Sequence, residues 1–104
     1  MPFETVFERG EHYEKHCVRR GEFPCIDDVQ YEVLADAFLT TGIRETIMQC
    51  TRPQGEIVRY DMITEEFGVL KTNGFVRTYF LAKPILHGYA TNLCYFYAEC
   101  WRIF

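Results

Sequence analysis

The sequence contains no apolar run near the ~20 residues that a membrane-crossing helix needs, so no membrane span is expected. It has no surplus of basic residues. Eleven Lys and Arg stand against 15 Asp and Glu, giving a net charge of −4 and a pI of about 5.3. That counts against a plain nucleic-acid binder, which carries a basic surplus. It leaves room for a local basic cleft on an acidic body. The cysteines at 17, 25, 50, 94 and 100 include no CxxC pair, so zinc-ribbon and thioredoxin motifs are absent. Their odd number prevents full internal pairing, and buried or partly buried free thiols are the expectation. No internal repeat, low-complexity tract or linker interrupts the chain. The stretch Phe3-Glu4-Thr5-Val6-Phe7-Glu8 is mixed and acidic, unlike a secretory signal. The chain could still be part of a larger protein.

What is present is aromatic and apolar. Hydrophobic residues make up 48% of the 104 residues and aromatics 16%. That composition excludes disorder and favours one sheet-containing domain over residues 1–104.

The first 9 residues read as a lead-in, with a possible short strand at Thr5-Val6-Phe7. A first helix is expected from Glu11 to about Arg20. Glu11 and Glu14 stand at its start and Arg19 and Arg20 at its end, which suits the helix dipole, and Gly21 stops it. A second helix starts at Asp27 or Asp28, with Gln30 as a capping partner. Its apolar stripe is Tyr31, Leu34, Ala35, Phe38 and Leu39. The period then falls to two. Strands are expected over Glu45 to Thr51, Glu56 to Asp61, Glu66 to Thr72 and Phe75 to Ala82. Asn73-Gly74 predicts a type I′ hairpin turn, and Pro84 ends the last strand. Short connections imply an antiparallel meander. The expected class is α+β: N-terminal helices on a four-stranded antiparallel sheet, then a C-terminal aromatic helix or tail. In that tail Leu93, Phe96, Tyr97, Cys100, Trp101 and Phe104 keep a helical spacing, capped by Thr91 or Asn92.

The chemistry concentrates in His12-Tyr13-Glu14-Lys15-His16. On a helix, two imidazoles four residues apart share a face. Histidine can give or take a proton near neutrality, and a neighbouring Lys or Arg can hold a phosphate. With Arg59, Arg77 or Thr78 offered by the sheet, such a helix could cleave RNA without metal, since the ribose 2′-hydroxyl is an internal nucleophile. Two alternatives stay open. The histidines could be a structural pair bonded to backbone and Glu, or they could bind zinc with Cys17 or His87. The HExxH pattern is absent, because residue 13 is Tyr. Strand alternation places Val76, Thr78 and Phe80 on one face, with Arg77, Tyr79 and Leu81 on the other. It puts Arg59 with Ile57 and Asp61.

The order of the motifs carries more than any one of them. HYEKH at 12–16 is followed by YEVLADAF at 31–38, VRYD at 58–61 and EFGV at 66–69. NGFVRTYF at 73–80 and HGYATNL at 87–93 complete the set. This series resembles the C-terminal ribonuclease toxin domains of contact-dependent growth inhibition and other polymorphic toxin systems. These belong to the barnase–EndoU–colicin–RelE superfamily, and the likeness spans about residues 9–98. The resemblance implies a metal-independent endoribonuclease without a cofactor, acting on RNA and especially tRNA, as in colicin D-like tRNases. It assigns the Lys-His pair to Lys15 and His16, the strand hydroxyl to Thr78 and the following aromatic to Phe80. His12 and Arg59 join the catalytic set, and His87 with Phe80 the substrate-binding set. It further implies a cognate immunity protein as partner. Delivery would be from the producing cell as part of a larger secreted or cell-surface toxin, with action in the target-cell cytoplasm. The acidic charge and the five cysteines depart from many such toxins, and the acidity leaves open a host factor that brings RNA to the site. The alternative is a non-catalytic protein-binding module with structural histidines.

Overall fold

Thr5 starts the first helix well before the expected position. In the computed structural model, which describes residues 2–25 and 27–102, Thr5 is extended and its hydroxyl accepts from the Glu8 N–H. Helix α1 therefore spans Val6–Tyr13. No strand forms at Thr5-Val6-Phe7, and Gly10 lies inside the helix. The physical reason is the cap: Thr5-x-x-Glu8 has the residue order of a capping box, and satisfying one orphan N–H outweighs the strand preference of three residues. From Tyr13 the chain continues into a π-helical segment, Glu14–Arg19.

Helix α2, Asp28–Thr40, begins as expected, with Asp27 accepting from the Gln30 N–H at 2.8 Å. Tyr31, Ala35, Phe38 and Leu39 are buried, while Leu34 is left at the exposed edge of the stripe. The strands are β1 Ile47–Thr51, β2 Ile57–Asp61, β3 Glu66–Leu70 and β4 Val76–Leu81. They form one antiparallel sheet in the order β1-β2-β3-β4. Gly68 on β3 lets α2 come close, since a Cβ there would stand 3.0 Å from Leu39 Cδ2. A short helix α3, Pro84–His87, ends in a left-handed Gly88, and α4 spans Asn92–Cys100 with Thr91 as its cap.

The sheet separates two cores. Phe3, Tyr31, Ala35, Phe38, Leu39, Val76 and Tyr79 fill the α2 side. Val58, Tyr60, Phe67, Val69, Phe96 and Cys100 fill the α4 side. Fully burying a side chain such as Phe67 contributes about 1.5–3 kcal/mol. Helices thus cover both faces. Of the expected tail stripe, only Phe96 and Cys100 are buried; Leu93, Tyr97 and Trp101 are exposed, and Phe104 lies outside the described residues.

Two local expectations are corrected. Cys50 on β1 and Cys100 on α4 are joined in a disulfide, with Cα atoms 6.0 Å apart, so these two are not free thiols. The pairing arises because α4 lies across β1 and β2, a relation invisible in a spacing of 50 residues. The β3–β4 turn is not type I′. Gly74 has φ +90°, but Asn73 does not share the positive φ that a type I′ turn needs at both central residues. The Asn73 side chain instead accepts from the Phe75 N–H, and Gly74 N–H bonds to Lys71 O.

Beyond that turn the ladder contains a bulge. Val69 pairs with Thr78 but Leu70 pairs with Val76, so Arg77 is the extra residue. A bulge of this kind breaks strict alternation. Val76 joins the α2 core with Tyr79. Arg77 lines a cleft with Thr78 and Phe80 on the α4 side. The expected grouping of Arg77 with Tyr79, and of Val76 with Thr78, is thereby reversed.

Candidate active site

The π-helical segment ends in a turn that assembles the first pair of the site. The Arg20 N–H reaches Lys15 O, five residues back, at 3.1 Å. Gly21 then takes φ +58°, a left-handed conformation that glycine adopts without the Cβ penalty. The chain reverses, and the Glu22 N–H bonds to His16 O at 2.8 Å. This brings the Glu22 carboxylate to the ring of the same residue: His16 Nδ1 lies 3.2 Å from Glu22 Oε1. Glu22 Oε1 also accepts the Leu81 N–H at 2.9 Å, which ties the pair to β4. Wide π turns are over-represented at functional sites.

Both partners are buried. Burial works to raise the Glu22 carboxyl. The hydrogen bond from His16, that from Leu81 and the charges of His16 and Arg20 outweigh it and hold Glu22 below the usual carboxylate range. The His16 ring is stacked on Phe80 at 5.6 Å and on His12 at 5.9 Å. With Nδ1 taken by Glu22, Nε2 is the ring nitrogen without a hydrogen bond among the described residues.

His16 lines a cleft of about 350 Å³ together with Lys15, Thr78, Phe80 and His87. Five of the seven residues singled out from sequence thus meet in one place, drawn from the π segment, β4 and α3. Arg20, Lys83, Tyr95 and Glu99 complete much of its wall. Lys15, Arg20 and Lys83 are exposed at this cleft, and neither lysine forms an ion pair with the described residues. A cationic mouth is therefore present on a protein of net charge −4. The Thr78 hydroxyl lines the cleft and has no hydrogen bond among the described residues.

His12 faces a second cleft of about 390 Å³, with Arg52, Arg77 and Arg102. The two clefts share Thr78, Phe80, Tyr95 and Glu99, so they adjoin. Burial, then the positive charges of His16, Lys15 and Lys71, lowers His12 from 6.5 to about 4. His12 is neutral at pH 7 and stacks between Phe3 and His16.

His87 is held at both ring nitrogens. Nδ1 accepts the Tyr89 N–H at 3.1 Å and Nε2 lies 2.8 Å from Asn92 Oδ1. An acceptor Nδ1 places the proton on Nε2. The ring lies flat on Tyr95 with centroids 4.2 Å apart. Its orientation is thus fixed by the Tyr89 and Asn92 contacts and the stack on Tyr95.

Arg59 is not part of either cleft. It projects to the α2 side, where Nη1 donates to Phe38 O at 2.9 Å and Thr41 O at 2.7 Å. It caps the carbonyl end of α2, the favoured place for a cation. Among the described residues no group of three His, Cys, Asp or Glu comes together to hold a metal ion, so the zinc alternative through Cys17 or His87 has no ligand set there.

Sequence reasoning missed Glu22 and Lys83. Glu22 follows the helix-stop Gly21 and carried no signal of its own. Only the reversal at Gly21 turns it back onto His16. Arg77 was named but placed on the wrong face, because a bulge leaves no mark in the alternation. No protein-family model matches the chain, and no curated protein matches it either.

Proposed function

We propose that the chain is a metal-independent endoribonuclease, the toxin domain of an interbacterial competition system. The observation that carries this reading is the pairing of His16 with buried Glu22 at the wall of a cationic cleft that also holds Lys15 and Thr78. His16 exchanges a proton with the ribose 2′-hydroxyl or the leaving 5′-oxygen. The 2′-oxygen bonds to phosphorus as the P–O5′ bond breaks, leaving a 2′,3′-cyclic phosphate and a 5′-hydroxyl. Lys15, with Arg20 and Lys83, offsets charge growing on the phosphate oxygens. Thr78 donates to one of them. Phe80 and His87 offer ring surfaces to a base, and the adjoining cleft with Arg77 and Arg102 accommodates the neighbouring nucleotide. Neutral His12 supports the His16 ring. Arg59 has no part in the reaction, since its guanidinium is committed to α2.

The preference for tRNA, the cognate immunity protein, a host factor and delivery into a target-cell cytoplasm follow the sequence resemblance. The test is purified protein with total tRNA in EDTA, beside His16→Ala. Cleavage to cyclic-phosphate ends by the parent alone supports the reading. Equal cleavage by both removes His16 from the mechanism. EDTA-sensitive cleavage favours a metal mechanism.

Tyr97 and Trp101 are 52% and 76% exposed on and just after α4, and they line an apolar groove with Met48. This favours, as second reading, a protein-binding module. Intact tRNA under all conditions would support it.

A further inference from the structure

We propose that Cys17 and Cys25 form a second disulfide, a covalent staple on the turn that carries Glu22 to His16. The two Sγ atoms stand 2.7 Å apart. Two unbonded sulfurs in contact sit well beyond that, and closing to a bond needs a further shift of only about 0.7 Å. Both residues are half-buried and pack against the α2-side core, so their approach is held by the fold. Cys17 follows His16 in the π-helical segment, and Cys25 follows Pro24. Between them lie Gly21 in its left-handed conformation and Glu22. A bond from 17 to 25 closes this reversal into a ring and restricts how far Glu22 can leave His16.

The odd cysteine count is then accounted for. Cys50 pairs with Cys100, Cys17 with Cys25, and exposed Cys94 remains. The oxidant is a small disulfide of the glutathione class or a thiol–disulfide oxidoreductase. One protein thiolate attacks the oxidant's sulfur and releases one thiol. The second protein sulfur then displaces the other half, forming S–S and releasing a second thiol. The protein loses two protons and two electrons, and the oxidant gains both. Burial pushes the Cys17 thiol up, with its hydrogen bond to Cys25 next in weight.

The inference does not rest on the ribonuclease reading and is read by peptide mapping, not by activity. The folded protein is equilibrated with glutathione disulfide, alkylated and digested with trypsin. Arg19 and Arg20 lie between the two cysteines, so the protease separates their peptides unless a disulfide joins them. The expected result is one linked Cys17–Cys25 pair, two hydrogens lighter than the separate peptides, with Cys94 alkylated. Amide exchange over 18–24 should be at least tenfold slower than in Cys25→Ser. Alkylation of both Cys17 and Cys25 while Cys50–Cys100 stays joined would overturn the proposal. So would pairing of either with Cys94. If Cys25→Ser fails to fold, the mapping of the parent decides alone.

Discussion

Nδ1 of His16 lies 3.2 Å from Oε1 of Glu22, and the two side chains are 3% and 0% exposed. A histidine fixed in this way presents one chosen nitrogen to its cleft. The pair differs from the one the sequence draws attention to, His12 with His16. His12 is a ring in a stack, whereas Glu22 is a partner that orients.

If the ribonuclease reading holds, His16→Ala should lower kcat by about 10²–10⁴-fold, the usual contribution of a general acid or base. Glu22→Gln keeps the shape but loses the charge. It should cost about 10–100-fold in kcat, the scale seen when an orienting partner is lost, with KM little changed. Steady-state cleavage of a short fluorescent RNA measures both. Wild-type rates for Glu22→Gln would show that the carboxylate only packs.

His12 makes stability depend on pH in a defined window. Its folded value is near 4 and its ordinary value 6.5. Between these the unfolded chain binds the extra proton, so the stabilisation is complete above about pH 6.5 and falls as pH drops towards 4. The expected loss is on the order of 2–3 kcal/mol. His12→Phe should flatten this stretch of the urea-midpoint curve. Glu22 adds a separate loss at lower pH. Its carboxyl is held below 4.5, so its contribution disappears as pH falls through that depressed value.

Gly21→Ala tests the reversal. Its Cβ would meet no atom within 4 Å, so the cost is conformational: φ is +58°, and an alanine there is disfavoured by about 1 kcal/mol. A drop of that size in urea unfolding, with Gly21→Asn milder, is expected. Activity should fall with it, because the turn sets Glu22.

Arg59→Ala should behave as a stability variant. It removes donors to Phe38 O and Thr41 O and unpairs Gln49. A loss of about 2–4 kcal/mol is expected from a buried charged donor to carbonyls, seen as a lower melting midpoint. The folded fraction should cleave at the parental rate per molecule. A fall in kcat at full folding would return Arg59 to the site.

Arg52 binds Glu56 and Glu99 at 2.8 and 3.0 Å while almost fully buried. Arg52→Ala removes the buried partner of both carboxylates and leaves Glu56 to Arg77 and Glu99 to Arg102, and a destabilisation of about 3 kcal/mol is expected in urea unfolding. Arg77 shares Glu56 at 2.6 Å, so the same change should loosen the bulge.

Local rules carried the sequence a long way. The aspartate cap and the period of Tyr31, Ala35 and Phe38 are decided within one turn of helix, so α2 was legible. Alternating apolar residues and short turns fixed four antiparallel strands in sequential order. The segment HYEKH was legible as a candidate site because imidazole and ammonium groups are the types that move protons and hold phosphate, whereas Thr78, Phe80 and His87 were assigned their roles only by the family resemblance. Three things waited for the tertiary structure. The bulge at Arg77 depends on two strands at once, so one strand's alternation cannot report it. Arg59 was assigned to phosphate, but only the packing of α2 on the sheet puts helix carbonyls within its reach. Glu22 became a partner of His16 through a reversal at Gly21 anchored by the Leu81 N–H, 59 residues away. Sequence records which groups can react or pair. Which of them meet is decided by long-range packing and by the few backbone sites that break the local period.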